Sequence, residues 1–428
     1  MGHIIIGYVC TFNFFATPYA YLVVLSAIGL AIFSSNRNEE STLLAAYIVG
    51  VEVFLRMTKS APLFETGKYT VILILAIGLI LGPTRQKLTL SYVFYLLLLL
   101  LGIVFTQVPE GESLRKSIAF NLSGPFMLGV CALYFYKRTI TTDQVYEMLY
   151  MALLPMFSMI TFMYFRTPDL KEIAFGGVSL GETSGGFGPN QVATIIGFGI
   201  FVMGAFLLTK RKLTGYAALD ALFLMYFTYR GLLTFSRGGV ITGGIAFGLF
   251  AFFFVLHSRN FGKLVQYIIV GAIFGAAVWL YTSDVTGGMI YNRYTGRNAS
   301  GIKKADASAG RFKIITTQLE SFQDAPIFGI GVGNGKYKRE LSGQKVTAAS
   351  HNELTRLIEE HGLVGLVMLL ILFIVPLSHH LRISNLQRAM VVSFFVFWFL
   401  TINHSAMRVA FPGFVYGLSL LNIVSNEK

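Results

Sequence analysis

Long apolar stretches free of charge follow one another along most of the chain, and polar residues collect in the shorter segments between them. Crossing the hydrocarbon core of a bilayer takes about 20 mainly apolar residues in a helix, and somewhat fewer where water enters. We therefore predict a membrane helix from each of ten such stretches. They are residues 69–84, 88–106, 118–136, 148–165, 191–209, 238–256, 264–283, 362–378, 389–407 and 409–425.

Two further stretches carry charge and are weaker candidates for membrane helices. Residues 41–55 contain Glu52, and residues 213–234 contain Asp220 and Arg230. We include both because the alternation of sides along the chain would otherwise leave gaps.

The N-terminal run from Ile4 to Asn36 is long enough for one tilted helix or for two helices in a hairpin. A hairpin would fold at Thr17-Pro18, since proline disfavours helix in the residue before it. We interpret the run as a retained membrane segment, because no signal peptide with a cleavage site is evident. The pattern as a whole predicts an all-α polytopic membrane protein with about 12 to 14 transmembrane helices.

Lysine and arginine in the short loops predict which side each loop faces, because cytoplasmic loops are enriched in both. Alternate loops carry these residues, and we assign them to the cytoplasm. They are Arg37; Arg85 with Lys87; Lys137 with Arg138; Lys210, Arg211 and Lys212; Arg259 with Lys263; and Arg382 with Arg388. The intervening segments, including 166–189 and 284–350, are then expected to face outward.

The one long polar stretch divides the chain into three parts. Residues 1–283 hold the N-terminal transmembrane helices, residues 284–350 form an outward loop, and residues 351–428 hold the outward start of a helix and the last transmembrane helices. The loop contains ten lysines and arginines against five acidic residues. Long loops translocate regardless of charge. A solvated loop and an anion-binding vestibule both fit this surplus, and charge alone leaves both open.

Composition narrows the class of protein. Hydrophobic residues make up 54% and charged residues 13% of the chain, against roughly 25% charged in soluble domains, which excludes an ordinary soluble enzyme. The net charge of +13 favours anionic lipid heads, phosphates or nucleic acid as partners. Cys10 and Cys131 lie in apolar runs and are too few for a disulfide framework or a zinc site. Asp-x-Asp occurs nowhere, so a metal-dependent transferase using nucleotide sugars is disfavoured.

Arg237 stands in Thr-Phe-Ser-Arg-Gly-Gly at the outward start of the stretch 238–256. A guanidinium at a positive helix N-terminus, with glycines that allow close backbone approach, receives phosphate well. The alternative is an arginine that snorkels to the lipid headgroups. Arg230 lies seven residues earlier, on nearly the same helical face, and would extend a cationic cluster.

Arg311 opens a segment whose apolar residues repeat at helical spacing. This predicts an amphipathic helix that lies on or against the membrane domain and ends at Asp324-Ala325-Pro326. The apolar positions are Ile314, Ile315, Leu319 and Phe322. The glycine-rich run 329–335 follows, and no strand-helix-strand unit surrounds it. We expect a flexible turn whose backbone amides approach a ligand.

His351 lies where the long loop returns to the membrane. Ser350, followed three residues later by Glu353, predicts a helix N-cap with a capping box. A histidine at such a helix start could act as a base near neutral pH, since its reference pKa is about 6.5. A lone histidine at a membrane interface is more often structural, and both interpretations stay open.

Six short segments, in this order and on one predicted side, resemble the O-antigen ligase and O-antigen polymerase superfamily. The resemblance covers roughly residues 185–380. The segments are Gly188-Pro189-Asn190-Gln191, Ser236-Arg237-Gly238-Gly239, Ala309-Gly310-Arg311, the run from Pro326 to Asn334, Ser350-His351-Asn352-Glu353 and Glu360-His361-Gly362-Leu363-Val364-Gly365.

The resemblance implies a GT-C-like glycosyltransferase of the bacterial inner membrane whose active site faces the periplasm. Its donor would be a glycan on undecaprenyl diphosphate, and its acceptor a sugar hydroxyl of lipid A core. A polymerase that joins lipid-linked repeat units is the alternative. The expected partners are these substrates and membrane lipids, without nucleic acid.

The resemblance also implies roles for individual residues. Arg237 and Arg311 would hold the donor diphosphate, a group to which we add Arg230, and His351 would assist the acceptor hydroxyl. The transfer would invert the sugar and need no metal and no cofactor. We expect supporting roles for Asn190, Asn334, Asn352 and Glu353.

A secondary transporter or a lipid-linked glycan flippase is the main alternative of another class. Such proteins often contain internal repeats and ionisable groups near the middle of the membrane. No convincing repeat is present, and Glu52 and Asp220 are both predicted near helix ends.

Overall fold

The computed structural model of the chain describes residues 1–83, 88–170, 172–173, 179–259, 261–304, 306, 310–341, 350–381 and 383–425. Most of this part of the chain is helical, as predicted. The first nine helices are α1 (Gly2–Val9), α2 (Asn13–Ser34), α3 (Glu40–Met57), α4 (Thr66–Leu81), α5 (Leu90–Leu101), α6 (Leu114–Phe135), α7 (Thr142–Arg166), α8 (Pro189–Leu208) and α9 (Ala217–Leu233).

The remaining helices surround and follow the long polar stretch. They are α10 (Arg237–Ser258), α11 (Phe261–Val285), α12 (Met289–Tyr294), α13 (Arg311–Asp324), α14 (Asn334–Leu341), α15 (Glu353–His380), α16 (Asn385–Ile402) and α17 (Phe411–Leu418). Two three-residue strands, β1 (Thr139–Thr141) and β2 (Asn422–Val424), pair in parallel. A short 3-10 helix covers Glu182–Ser184.

Eight helices of the described chain are long and apolar enough to cross a membrane: α2, α6, α7, α8, α10, α11 over Val265–Val285, α15 and α16. The apolar helices α4 and α5 are shorter. Helices α3 and α9 contain the charged residues that made these two stretches weaker candidates. The fold class is confirmed. When α3, α4, α5 and α9 are added to the eight, the described residues contain twelve candidate membrane helices, the lower end of the predicted range of 12 to 14.

At the chain ends the structure excludes one of the two alternatives for the N-terminal run and shows that one predicted membrane helix is wrong. Helix α2 runs through Pro18, so no hairpin folds at Thr17-Pro18, and the chain breaks at 10–12 instead. Residues 409–425 form the eight-residue α17 and then β2, not a spanning helix. Every residue of α17 is buried inside the protein. This run is apolar because it lies in the protein core, and hydropathy alone does not distinguish that environment from lipid.

The loops predicted to share a side do meet in the structure. At one end, Asp143 and Arg211 form an ion pair, and Glu39 pairs with Arg138. Outward-predicted segments meet around cavities at the other end. Arg85, Lys87 and Arg382, which also entered the orientation argument, lie outside the described residues.

Close packing of α8 against α10 sets the position of the start of α10. A side chain added at Gly239 or Gly243 would collide with the backbone of Ala193 or Gly197. Gly239 and Gly243 are four residues apart, the small-residue spacing that lets membrane helices approach closely. Arg237, the first residue of α10, is therefore held near the start of α8.

The predicted amphipathic helix exists as α13 and ends at Asp324, as expected. Its buried face differs from the predicted apolar stripe: Leu319 is 45% exposed, whereas Thr317 and Gln318 are buried with Ile314. The reason is that α13 packs on the polar start of α15. Gln318 donates to Glu359 (2.8 Å) and accepts from Thr355 (2.6 Å).

Candidate functional site

A cavity of about 260 Å³ lies where the starts of α10, α13 and α15 meet, and we call it the arginine cavity. It brings together Arg237, Arg311, His351 and Asn352, all predicted as site residues. Its full lining is Arg237, Arg293, Arg311, Phe312, Ile314, Ile315, Ser350, His351, Asn352 and Asn403.

Three helices begin at this cavity. Arg237 is the first residue of α10, Arg311 is the first residue of α13, and Asn352 is the N-cap of α15. A helix N-terminus carries a partial positive charge and backbone N–H groups that face away from the helix. Three such ends around one cavity add to the arginine charges and favour an anion.

Electrostatics in the cavity are dominated by positive charge. Burial lowers the pKa of Arg293 and of Arg311, and the positive charge of Arg237 lowers both further. Among the described lining residues there is neither aspartate nor glutamate. Mutual repulsion between the guanidinium groups is a cost that a bound anion would relieve.

The turn before α10 is held from two sides. The Ser236 hydroxyl donates to Oδ1 of Asn190 (2.8 Å), and Nε of Arg293 donates to the carbonyl of Phe235 (2.7 Å). Phe235 has a positive φ of 55°, which is unusual for a residue other than glycine. Asn190 therefore positions the start of α10 and does not line the cavity.

The segment that follows α16 holds His351 in place. The backbone N–H of Ala406 donates to the His351 carbonyl (3.1 Å), and Arg408 donates to the Ser350 carbonyl (2.9 Å). The Asn352 amide donates to Oδ1 of Asn403 (3.0 Å). The backbone around His351 is thus fixed by contacts from a distant part of the sequence.

The N-cap of α15 lies two residues later in the chain than predicted. Asn352, not Ser350, caps the helix, and its Oδ1 accepts from the N–H groups of Leu354 and Thr355. Ser350 is engaged elsewhere, because its hydroxyl bonds to Gln318 and to the backbone of Asn352.

Glu353 has a structural environment. It is fully buried, forms an ion pair with Arg356, and accepts a hydrogen bond from the backbone of Met407 (3.3 Å). Arg356 also pairs with Glu360 (3.2 Å), as their shared helical face predicts. Glu353 does not line the arginine cavity, and its contacts to Arg356 and Met407 hold the start of α15 in place.

Two predicted site residues lie elsewhere. Arg230 is buried in α9, where it donates to the Thr167 hydroxyl (2.7 Å) and to the Thr183 carbonyl (3.5 Å), and it is not part of the arginine cavity lining. Asn334 donates to the Ile330 carbonyl (2.6 Å) and accepts from the backbone of Gln107 (3.3 Å). The structure brings neither residue to the arginine cavity.

The glycine-rich run does not offer its amides to a ligand, contrary to the prediction. The N–H groups of Ile330 and Gly331 donate to carbonyls of α15, and that of Gly333 donates to Glu360 Oε1 (3.0 Å). Gly329, Gly331 and Gly333 all have positive φ, which lets the chain fold tightly against α15. The role of the run 329–335 is therefore to pack against the start of α15.

Three residues at or near the cavity were not predicted. Arg293 was one of many bases in the outward loop, and Asn403 and His404 end an apolar run. His404 packs against Gly238, and burial lowers its pKa to about 4, with the charge of Arg311 acting in the same direction. His404 is therefore neutral at pH 7. No local motif marks these positions, because they reach the site only through the fold.

Comparison with known proteins agrees with the motifs. Residues 221–370 match the family model described as O-antigen ligase. This segment contains the three arginines of the cavity and His351, whereas Asn190 lies outside it. None of the curated proteins matches the chain. The family match confirms the resemblance to the O-antigen ligase and polymerase superfamily.

Proposed function

We propose that this protein belongs to the O-antigen ligase and polymerase superfamily and is a ligase-type glycosyltransferase. It moves a glycan from undecaprenyl diphosphate to a sugar hydroxyl of lipid A core, on the periplasmic side of a bacterial inner membrane. The observation that carries the proposal is the convergence of three arginines and His351 on one cavity at three helix N-termini.

In the proposed reaction, the bond from the sugar C1 to the diphosphate oxygen breaks while the acceptor oxygen bonds to C1. Negative charge develops on the departing diphosphate. Guanidinium groups stabilise that charge through paired, charge-assisted hydrogen bonds. Arg237 and Arg311 are the proposed main contacts, and Arg293 adds positive charge while it supports the turn before α10.

His351 is the proposed base. A sugar hydroxyl is a poor nucleophile until its proton is removed, and imidazole accepts a proton near neutral pH. Because His351 lines the same cavity as the arginines, it can take the proton as the new bond forms. Attack from the face opposite the diphosphate inverts the configuration at C1.

The decisive experiment is transfer by the purified protein. The protein in lipid nanodiscs receives an undecaprenyl-diphosphate-linked glycan together with either lipid A core or a second lipid-linked repeat unit, and products are separated by gel. Transfer to lipid A core supports the ligase, and transfer only to the lipid-linked unit would make the protein a polymerase. Absence of any transfer by folded protein would contradict the proposal that the protein is a glycosyltransferase.

The base is tested in the same assay. His351→Ala should lower the rate by about 10²-fold or more, as expected for the loss of a general base. His257→Ala is the matched control, since His257 lies in the last turn of α10, at the other end of the helix that starts with Arg237. An unchanged rate in His351→Ala would remove the histidine from the mechanism.

A further inference from the structure

A second, larger cavity of about 620 Å³ adjoins the arginine cavity, and Ser350 lines both. The start of α15 separates them: His351 and Asn352 face the arginine cavity, whereas Arg356, Glu359 and Glu360 line the second cavity. The other walls come from the segment before α4, the start of α6 and α14. All of these segments are on the side predicted to face outward.

The second cavity combines aromatic rings with polar groups. Phe64, Tyr69, Phe120 and Tyr337 line it. Ring faces pack on the apolar C–H surfaces of a ligand, while a few polar groups fix its orientation. A sugar has both kinds of surface, with C–H groups on its faces and hydroxyls at its edge.

Buried carboxylates supply acceptors for hydroxyl groups. Glu360 pairs with Arg356 (3.2 Å), and Glu65 pairs with Lys68 (2.6 Å). Glu65 is 5% exposed, and its Oε1 has no hydrogen-bond partner among the described residues. A buried acceptor without a partner is costly, and a hydroxyl that enters the cavity would satisfy it.

Positive residues surround the opening of the second cavity. Arg115, Lys116 and Lys336 line it and are exposed, and Glu112 is an exposed acid among its lining residues. Lys336 also contacts Glu340 (3.5 Å) at the surface. The surplus of positive charge favours a ligand that carries negative charge outside its sugar core.

The side chain of Arg408 contacts a residue that lines both cavities and a residue that lines the second. Arg408 donates to the Ser350 carbonyl (2.9 Å) and lies over the ring of Phe120 at 4.4 Å. Ser350 lines both cavities, and Phe120 lines the second. A ligand in the second cavity is therefore next to the residue that precedes His351.

We propose that the second cavity binds the acceptor, an anionic oligosaccharide, and that one hydroxyl group of this acceptor reaches past Ser350, which lines both cavities, to His351 in the arginine cavity. This inference rests on the proposed function, since it assumes a donor in the arginine cavity. The acceptor oxygen forms the bond to C1, its proton passes to His351, and the electron pair of the broken C1–O bond leaves with the diphosphate.

The test reverses the charge at the opening of the second cavity. Arg115→Glu/Lys116→Glu is compared with Lys303→Glu/Lys304→Glu, an adjacent pair on the outward loop that lines neither cavity. With lipid A core as the acceptor, the first variant should raise the acceptor KM at least about tenfold, because like charges are then opposed. The donor KM should stay unchanged, and the control should match the unmodified protein.

A second variant probes the interior of the cavity. Tyr337→Ala removes an aromatic wall, and Tyr216→Ala removes an exposed tyrosine elsewhere. Tyr337→Ala should raise the acceptor KM and leave the donor KM unchanged. An acceptor KM unchanged in both cavity variants overturns the proposal. A rise in the donor KM alone also overturns it, and places the donor glycan in this cavity.

Binding without turnover separates this inference from the proposed function. Arg237→Ala protein should bind lipid A core as tightly as the unmodified protein, and Arg115→Glu/Lys116→Glu should bind it more weakly. Equal binding by all three proteins overturns the acceptor site. Retention of normal transfer by Arg237→Ala would instead contradict the proposed donor chemistry, whatever the binding result.

Discussion

Two groups of arginines on the same side of the protein differ in what surrounds them. Arg56, Arg339 and Arg356 are buried beside carboxylates, at 2.6 Å from Glu52, 3.4 Å from Glu359 and 3.2 Å from Glu360 respectively. The arginine cavity instead brings three arginines together, and its described lining includes no carboxylate.

The difference separates arginines whose charge is balanced by the protein's own carboxylates from arginines whose charge is left for an external anion. A buried cation matched by a carboxylate belongs to the protein's own charge balance, and removal of one partner leaves the other charge buried. Cations that converge on a cavity repel one another, and they gain most when an external anion arrives. The two groups should therefore respond differently to the same substitution.

The largest effect should come from the cavity arginines that begin α10 and α13. Arg237→Ala and Arg311→Ala should each reduce glycan transfer by about 10²-fold or more, because each removes a proposed stabilising contact to the leaving diphosphate. Expression and thermal stability should stay normal. Initial transfer rates measure the effect, and Arg297→Ala, an exposed arginine of the same loop, is the control.

The geometry of the contact can also be tested at Arg237. Arg237→Lys keeps the charge and loses the planar fork, so it should recover only part of the rate. Near-normal transfer by both Arg237→Ala and Arg311→Ala would show that the arginines of the cavity do not bind the donor, and the proposed difference between the two groups of arginines would be wrong.

The other group should show its effect in stability. Arg356→Ala leaves Glu353 and Glu360 buried without their main cation and should cost about 3–5 kcal/mol of folding free energy. Thermal unfolding in detergent measures the loss. Adding Glu353→Gln and Glu360→Gln to this variant should recover part of the stability, and an unfolding temperature unchanged by Arg356→Ala would contradict the structural role.

Arg293 should give an intermediate result. Its Nε supports the turn before α10, and its charge faces the cavity. Arg293→Ala should lower the transfer rate by roughly tenfold, which corresponds to about 1.4 kcal/mol. Arg230→Ala is the comparison, since Arg230 does not line the cavity, and it should leave the donor KM unchanged. A larger donor effect from Arg230 than from Arg293 would restore Arg230 to the donor site.

Removal of divalent metal should have the smallest effect. In the proposed mechanism, arginines provide the positive charge that a metal ion provides in many glycosyltransferases, so chelator should leave the transfer rate unchanged. Rates with and without chelator, and after re-addition of Mg²⁺, give the measurement. A strict need for the metal would show that the arginine cavity is not sufficient for the leaving group.

Much of the helical framework could be predicted from the order of residues. Apolar length and the absence of charge identify most of the helices that are long enough to cross a membrane. Arg237, Arg311 and His351 could also be predicted as candidates, because each lies in a short motif at or just before the start of a helix. These features depend on neighbours close in the chain.

Other features were decided only by the tertiary structure. Arg293 and Asn403 join the arginine cavity from distant elements, while Arg230 lies buried beside Thr167, and no local pattern distinguishes these outcomes. Hydropathy likewise predicted a membrane helix at 409–425, where the structure buries a short helix in the protein core. The physical reason is the same in each case: apolarity and charge specify which environment a side chain needs, and long-range packing decides which neighbours provide it.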